Sequence, residues 1–75
     1  MKIRLKLMGM LKDKTPADGT LQLPEGATIA SALAALEIPS HAVQVCTVNG
    51  TLQRDVNQPL AAEDELGVVP PVGGG

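Results

Sequence analysis

Phenylalanine, tyrosine and tryptophan are absent from the 75 residues of this chain. Without aromatic rings it has no platform on which bases could stack, the usual grip on single-stranded nucleic acid. A basic excess is missing too: 6 Lys plus Arg stand against 8 Asp plus Glu, a formal charge of -2. Clustered positive charge supplies most of the affinity for phosphate backbones, so nucleic-acid binding is not expected. Cys46 is the single cysteine and has no partner for an internal disulfide, which excludes the stapled secreted scaffolds. With His41 the single histidine, the ligands for a zinc or iron–sulfur centre are lacking, and no metal site is expected. No segment reaches the roughly 18 consecutive apolar residues of a membrane span. Met1 is followed by alternating charge and not by the apolar run of a signal peptide. The expectation is a soluble cytoplasmic protein, monomeric when free and without a membrane partner.

What is present is a 44% hydrophobic composition made entirely of aliphatic, Met and Cys side chains. The length allows one domain, which without staples must rest on an efficient aliphatic core. Lys2-Ile3-Arg4-Leu5-Lys6-Leu7 alternates without a break, predicting a strand with Ile3, Leu5 and Leu7 inward and Lys2, Arg4 and Lys6 in water. Pro16 and Asp18-Gly19 mark a loop over residues 12–19, and Thr20–Leu23 alternates again, which makes a hairpin. Thr28 stands where an N-cap belongs. Ile29, Leu33 and Leu36 follow at the spacing of one helix face, with alanines between them and Pro39 expected to end the helix. Residues 43–48 read as a third strand, Asn49-Gly50 as a tight turn, and Thr51-Leu52 as the start of a short fourth strand. Residues 60–65 read as a turn with an acidic tip and Leu66–Val69 as the last strand, ended by Pro70-Pro71. Strand, strand, helix, strand, short strand, strand is an α+β order with one helix packed on one face of a sheet. The other face is left to water or to partners.

Groups able to do chemistry are few. Cys46, between Val45 and Val48, reads as a core thiol in preference to a nucleophile. His41 reads as a solvated loop residue, since no carboxylate or serine is placed to work with it. Glu63-Asp64-Glu65 is either a solvated turn or a contact for a basic partner. The stripe Lys2, Arg4, Lys6 either blunts the exposed sheet or takes part in docking. There is no Gly-rich loop followed by Lys and Ser/Thr to cradle phosphates. The end of the chain, Pro70-Pro71-Val72-Gly73-Gly74-Gly75, is unusual: a glycine triplet on a proline pair. By itself it is equally a frayed end or a working group.

The whole chain resembles the MoaD/ThiS-type sulfur carriers, which include the small subunit of molybdopterin synthase. The resemblance rests on Ile3-Arg4-Leu5-Lys6-Leu7-Met8-Gly9-Met10-Leu11, on Leu23-Pro24-Glu25-Gly26-Ala27-Thr28-Ile29 and on Val48-Asn49-Gly50. The turn at 60–66 and Val69-Pro70-Pro71-Val72-Gly73-Gly74-Gly75 complete it, the Pro-Pro-Val-Gly-Gly-Gly ending being the most specific piece. The chain departs from the family's usual pattern at Met8 and Val68-Val69, where an aromatic is common, and at Glu63-Asp64, where Gly-Asp is common.

The resemblance implies a β-grasp, ubiquitin-like domain over residues 1–72, with a mixed sheet of four to five strands and one main helix, and a glycine tail over 73–75. It also implies a carrier, not an enzyme acting alone. A ubiquitin-activating-type adenylyltransferase, using ATP and Mg, would adenylate the Gly75 carboxylate. A persulfide donor would convert it to a thiocarboxylate, and an acceptor synthase would take the sulfur. That synthase is of the molybdopterin synthase large-subunit type or the thiazole synthase type, with molybdopterin synthesis favoured and thiamine-thiazole or another thiolation pathway as alternatives. A further alternative is a ubiquitin-like modifier conjugated through Gly75. No cofactor is expected on the chain itself. Pro70, Pro71, Val72, Gly73, Gly74 and Gly75 would enter the partner, a residue without Cβ passing a narrow channel where others would not. The α-carboxyl, with its ordinary pKa of about 3.3–3.7, is ionised at neutral pH. Docking is expected on the water-facing side of the sheet near Arg4 and Val69.

Overall fold

The computed structural model describes residues 1–71; Val72, Gly73, Gly74 and Gly75, and with them the expected boundary between domain and tail, lie outside the described residues. Strand β1 (Lys2–Leu7) forms where the alternation is unbroken, with Ile3 and Leu7 buried, Leu5 half-buried, and Lys2, Arg4 and Lys6 exposed. It pairs antiparallel with β2 (Thr20–Gln22), Ile3 lying opposite Leu21. After the helix come β3 (Val45–Val48), β4 (Thr51–Gln53) and β5 (Glu65–Val69). The spatial order is β2-β1-β5-β3-β4, with β1 and β5 parallel in the centre and every other pair antiparallel. This is the five-stranded mixed sheet of a β-grasp domain. The Asn49-Gly50 turn joins β3 to β4 with φ of 53° and 85°, the two positive angles of a type I′ hairpin.

Helix α1 (Ile29–Ala35) is two turns long and would not persist in isolation. Its first-turn amides are all satisfied. Thr28 Oγ1 accepts from Ser31 N–H at 3.2 Å, while Ser31 Oγ accepts from Thr28 N–H at 3.2 Å, a closed capping box. Ile29 and Ala30 donate to the carbonyls of Gln58 and Val56. Ile29, Ala32, Leu33 and Leu36 enter a core shared with Ile3, Leu7, Cys46, Leu66 and Val68. Ile3, Ile29, Leu66 and Val68 are fully buried, each worth about 1.5–3 kcal/mol relative to exposure. Among the described residues no buried side-chain polar atom lacks a partner, and the one ion pair is the Met1 amine with Glu25 at 4.0 Å. The aliphatic core therefore carries the stability.

Three local expectations are corrected. The loop expected to begin at Lys12 is preceded, and overlapped, by a 3₁₀ helix over Gly9–Lys14, anchored by buried Leu11. Pro39 does not end α1: the helix stops at Ala35, and Glu37 takes a left-handed φ of 58°. Glu37 N–H then donates to Ala34 and Ile38 N–H to Leu33, which is the Schellman closure, here with glutamate where glycine is usual. The third strand starts at Val45 and not at Val43, because residues Ser40–Ala42 form another 3₁₀ turn.

Candidate functional site

Strand β5 is the element that delivers the chain end. It lies between β1 and β3, and its last carbonyls are held from both flanks. Met8 N–H donates to Val68 O at 3.1 Å, and Gln44 N–H to Val69 O at 2.7 Å. Pro70 follows and is buried, whereas Pro71 is exposed. Lacking an N–H, Pro70 ends the ladder without leaving an unsatisfied donor. It packs over Gly9: a Cβ placed on Gly9 would come 3.1 Å from Pro70 Cγ. Gly9 also has φ of 56°, so the turn and the close approach both call for glycine. Pro70 thus belongs to the body, and Pro71 is the first exposed residue of the route toward Val72, Gly73, Gly74 and Gly75, which are not described.

The water-facing side of the sheet is set by strand register. Arg4 lies beside Glu65 and Lys6 beside Gly67; on the other flank of β5, Thr47 lies beside Gly67 and Val45 beside Val69. Leu52 of β4, 48% exposed, sits next to Thr47 on the same side. The face therefore has a small apolar centre (Val45, Val69, Leu52) with Lys6 and Arg4 toward one side. Arg4 and Val69 share the face but stand apart: β5 runs four residues from Arg4's partner Glu65 to Val69, about 13 Å. Arg4 is also already engaged, its Nε and Nη2 both donating to Glu63 O at 3.2 Å. Lys6, beside Gly67 and nearer the chain exit, is the exposed cation closest in register to Val69.

The acidic cluster is mostly a structural knot. Asp64 Oδ1 accepts from Asn49 Nδ2 at 2.9 Å and its Oδ2 from Ala61 N–H at 2.8 Å. Asn49 Oδ1 accepts from Glu65 N–H at 2.9 Å. These bonds tie the β3–β4 turn to the start of β5, and of the three acids Glu63 is exposed while Asp64 and Glu65 are half-buried. Burial pushes the Cys46 thiol up from its ordinary pKa, so the reactive thiolate is suppressed and the core reading holds. His41 lies exposed in the second 3₁₀ turn. Among the described residues no three His, Cys, Asp or Glu side chains gather as a metal site, and no helix is long and apolar enough to cross a membrane.

Sequence reasoning missed Met10, Gly9 and Gly67. Met10 is 77% exposed on the 3₁₀ helix that Pro70 packs against. A Met-Gly-Met run directly after a strand was the available signal, because glycine there implies a turn that throws one neighbour outward. Gly67 is buried under Thr47, and nothing in the sequence pairs those two positions.

Comparison with known proteins is consistent with this geometry. No curated protein sequence matches the chain. Crystal structures of small archaeal modifier protein 1 from Haloferax volcanii superpose with TM-scores of 0.74 and 0.70, each at 25% identity. The first alignment covers 100% of both chains, and the second 95% of this chain and 98% of the other. A complex of subunits 1 and 2 of the molybdopterin-converting factor from Helicobacter pylori 26695 contains a chain of the same fold, with TM-score 0.63 and 20% identity over 100% of each chain. A model of the ThiS family matches residues 5–75, nearly the whole length and the glycine ending included. A β-grasp body that anchors its last strand as far as Pro70 and ends in Gly73-Gly74-Gly75 thus belongs to the ThiS family, among ubiquitin-like chains of the sulfur-carrier and small-modifier type.

Proposed function

We propose that this chain carries sulfur on its C-terminal carboxylate. In the first step a Gly75 carboxylate oxygen attacks the α-phosphorus of ATP held by a ubiquitin-activating-type adenylyltransferase with its Mg. Pyrophosphate leaves and an acyl adenylate forms. The terminal sulfur of a persulfide then attacks the acyl carbon and AMP leaves. A second thiol cleaves the resulting acyl disulfide, forming a disulfide with the donor sulfur and leaving the thiocarboxylate on Gly75. The chain contributes position and no catalytic group, which is why it acts as a carrier and not as an enzyme.

The observation that carries this reading is the anchored exit. Gln44 and Met8 hold the last two carbonyls of β5 and Pro70 is buried on Gly9, so the residues beyond start from a fixed point. Fixing the root spares a partner part of the ordering cost, about 1–2 kcal/mol per backbone residue. Gly73, Gly74 and Gly75 add no side chain to obstruct a narrow channel. Docking uses the open sheet face, with Val69, Val45 and Leu52 as the apolar contact, Lys6 on its flank and Arg4 at the far end. The favoured acceptor is a molybdopterin synthase large subunit, in keeping with the fold shared with the molybdopterin-converting factor chain.

The test is intact mass spectrometry of the protein after incubation with the adenylyltransferase of its own genome, ATP, Mg, a persulfide donor and a thiol reductant. Exchange of one oxygen for sulfur at Gly75 is the expected result. An unchanged mass would refute the carrier reading. The full-length likeness to small archaeal modifier protein 1 favours one second reading, conjugation of Gly75 to lysines. Isopeptide-linked adducts without any thiocarboxylate would decide for it.

A further inference from the structure

Strands β1 and β5 are parallel, so they finish at the same end of the sheet. From β1 the chain passes through Met8 and left-handed Gly9 straight into the 3₁₀ helix Gly9–Lys14. That helix is held in three places. Met8 N–H is bonded to Val68 O, Leu11 is 3% exposed in the core, and Thr15 N–H closes onto Lys12 O at 3.0 Å. Pro70 lies against Gly9. A short rigid element is thus clamped to the root of the chain end, and it presents Met10 to water.

Met10 is the most exposed of the large hydrophobic side chains among the described residues, 77% against 48% for Leu52 and 41% for Val56. Lys12 and Lys14, both exposed, stand on the same helix, and exposed Lys6 lies just before it on β1. Asp13 is the single acid in the group. The result is an apolar knob with Lys12 and Lys14 to its two flanks and Asp13 one 3₁₀ turn on, one residue away from the contact between Gly9 and Pro70.

We infer that Met10 is the apolar anchor onto which the adenylylating partner closes when it receives the chain end, and that the partner offers it an apolar socket rimmed by carboxylates. The inference rests on the proposed activation of Gly75. A pocket that takes Gly75 has its rim at the root of the tail, and the surface at that root is exposed Pro71, after a Pro70 that packs on Gly9, the residue before Met10. Buried apolar anchors at the centre of a contact carry most of its energy, while the surrounding charges select the partner. Methionine suits the role because its unbranched thioether adapts to a socket at little steric cost.

The experiment measures ATP–pyrophosphate exchange by the adenylyltransferase encoded in the same genome, at varied concentration of this protein. Met10→Asp is expected to raise the KM for the carrier at least about tenfold, equivalent to ~1.4 kcal/mol of lost binding, with kcat changed less than about twofold. Met10→Leu is expected to recover most of that loss. Ala62→Asp places the same acid on an exposed apolar residue of the turn before β5, at the opposite end of that strand from the exit, and is expected to leave KM as it was. Far-UV circular dichroism should show an unchanged fold for Met10→Asp, since so exposed a side chain contributes little to packing. An unchanged KM for Met10→Asp overturns the inference, as does an equal rise for Ala62→Asp. No exchange with the unaltered protein overturns the activation of Gly75 itself, so the two failures are told apart.

Discussion

Gly67 in the middle of β5 is a strand glycine whose φ is ordinary, so space and not backbone freedom explains it. It is buried between Lys6 and Thr47, and a Cβ added there would overlap Thr47 Oγ1, with Thr47 Cβ at 3.6 Å and Lys6 O at 3.8 Å. Gly67→Ala therefore sets two effects against each other. Loss of unfolded-state freedom stabilises by about 0.4–1 kcal/mol. Overlap with a β-branched residue that is stiff at χ1 forces a rotamer change or a spread of the strands, costing about 1–3 kcal/mol. The second effect wins, leaving a net loss of about 0.5–2 kcal/mol. For a domain of this size each kcal/mol lowers Tm by about 4–8 °C. In a Thr47→Ala background the overlap is gone, and the same substitution should become stabilising by about 0.4–1 kcal/mol. The assay is urea unfolding of the four proteins followed by far-UV circular dichroism, since a chain without Tyr or Trp has no useful intrinsic fluorescence. A change of sign between backgrounds is the expected double-mutant coupling. If Gly67→Ala costs the same with and without Thr47, the steric account is wrong.

Leu66→Ala removes a fully buried side chain from the centre of the core; the expected loss is about 2–5 kcal/mol. That is a large part of the roughly 4–11 kcal/mol available to a domain this short, and a midpoint shift in urea of the size seen for surface variants would contradict it. Glu37→Gly should stabilise by about 0.5–1 kcal/mol, because it places glycine at the left-handed position that closes α1; a loss of stability would refute the Schellman reading. Thr20 N–H donates to Asp18 Oδ1 at 3.0 Å, and the hydrogen bonds from Thr20 hold the Asp18 carboxyl below its usual pKa of 3.8. A depressed folded-state pKa favours the fold above the unfolded-state value, and the effect is lost as pH falls through the lower one. An NMR titration should place Asp18 below ordinary aspartate, and a midpoint at or above the ordinary value would contradict the bond.

The parts of the fold that were legible before the structure share a cause. Lys2–Leu7 alternates because one face meets the core and the other meets water, and that contrast is written one residue at a time. Thr28 and Asn49-Gly50 act within a few residues of themselves, so the cap and the hairpin turn were where expected. Pro39 was a plausible stop for α1, yet Glu37 had already ended it, because tertiary burial of Ile38 rewards a left-handed residue that propensity alone would not choose. Arg4 was correctly placed on the wet face, but its bond to the Glu63 carbonyl spans 59 positions and leaves no local trace. The sequence offers Asp64 as a solvated turn residue or a partner contact, and leaves no trace of its bond to Asn49, 15 residues away.

From sequence alone came the kind of molecule: one aliphatic α+β domain poor in catalytic groups, ending in Pro-Pro-Val-Gly-Gly-Gly and resembling the sulfur carriers. Composition and short-range periodicity are properties of the chain and need no folding to be read. Only the tertiary structure decided that β1 and β5 lie parallel and finish together. It seated Pro70 on Gly9, making Pro71 the first exposed residue of the exit, and it left Met10, the residue after Gly9, exposed. Those facts depend on contacts between segments some sixty residues apart, and such contacts are settled when the core forms, not by any residue's own preference.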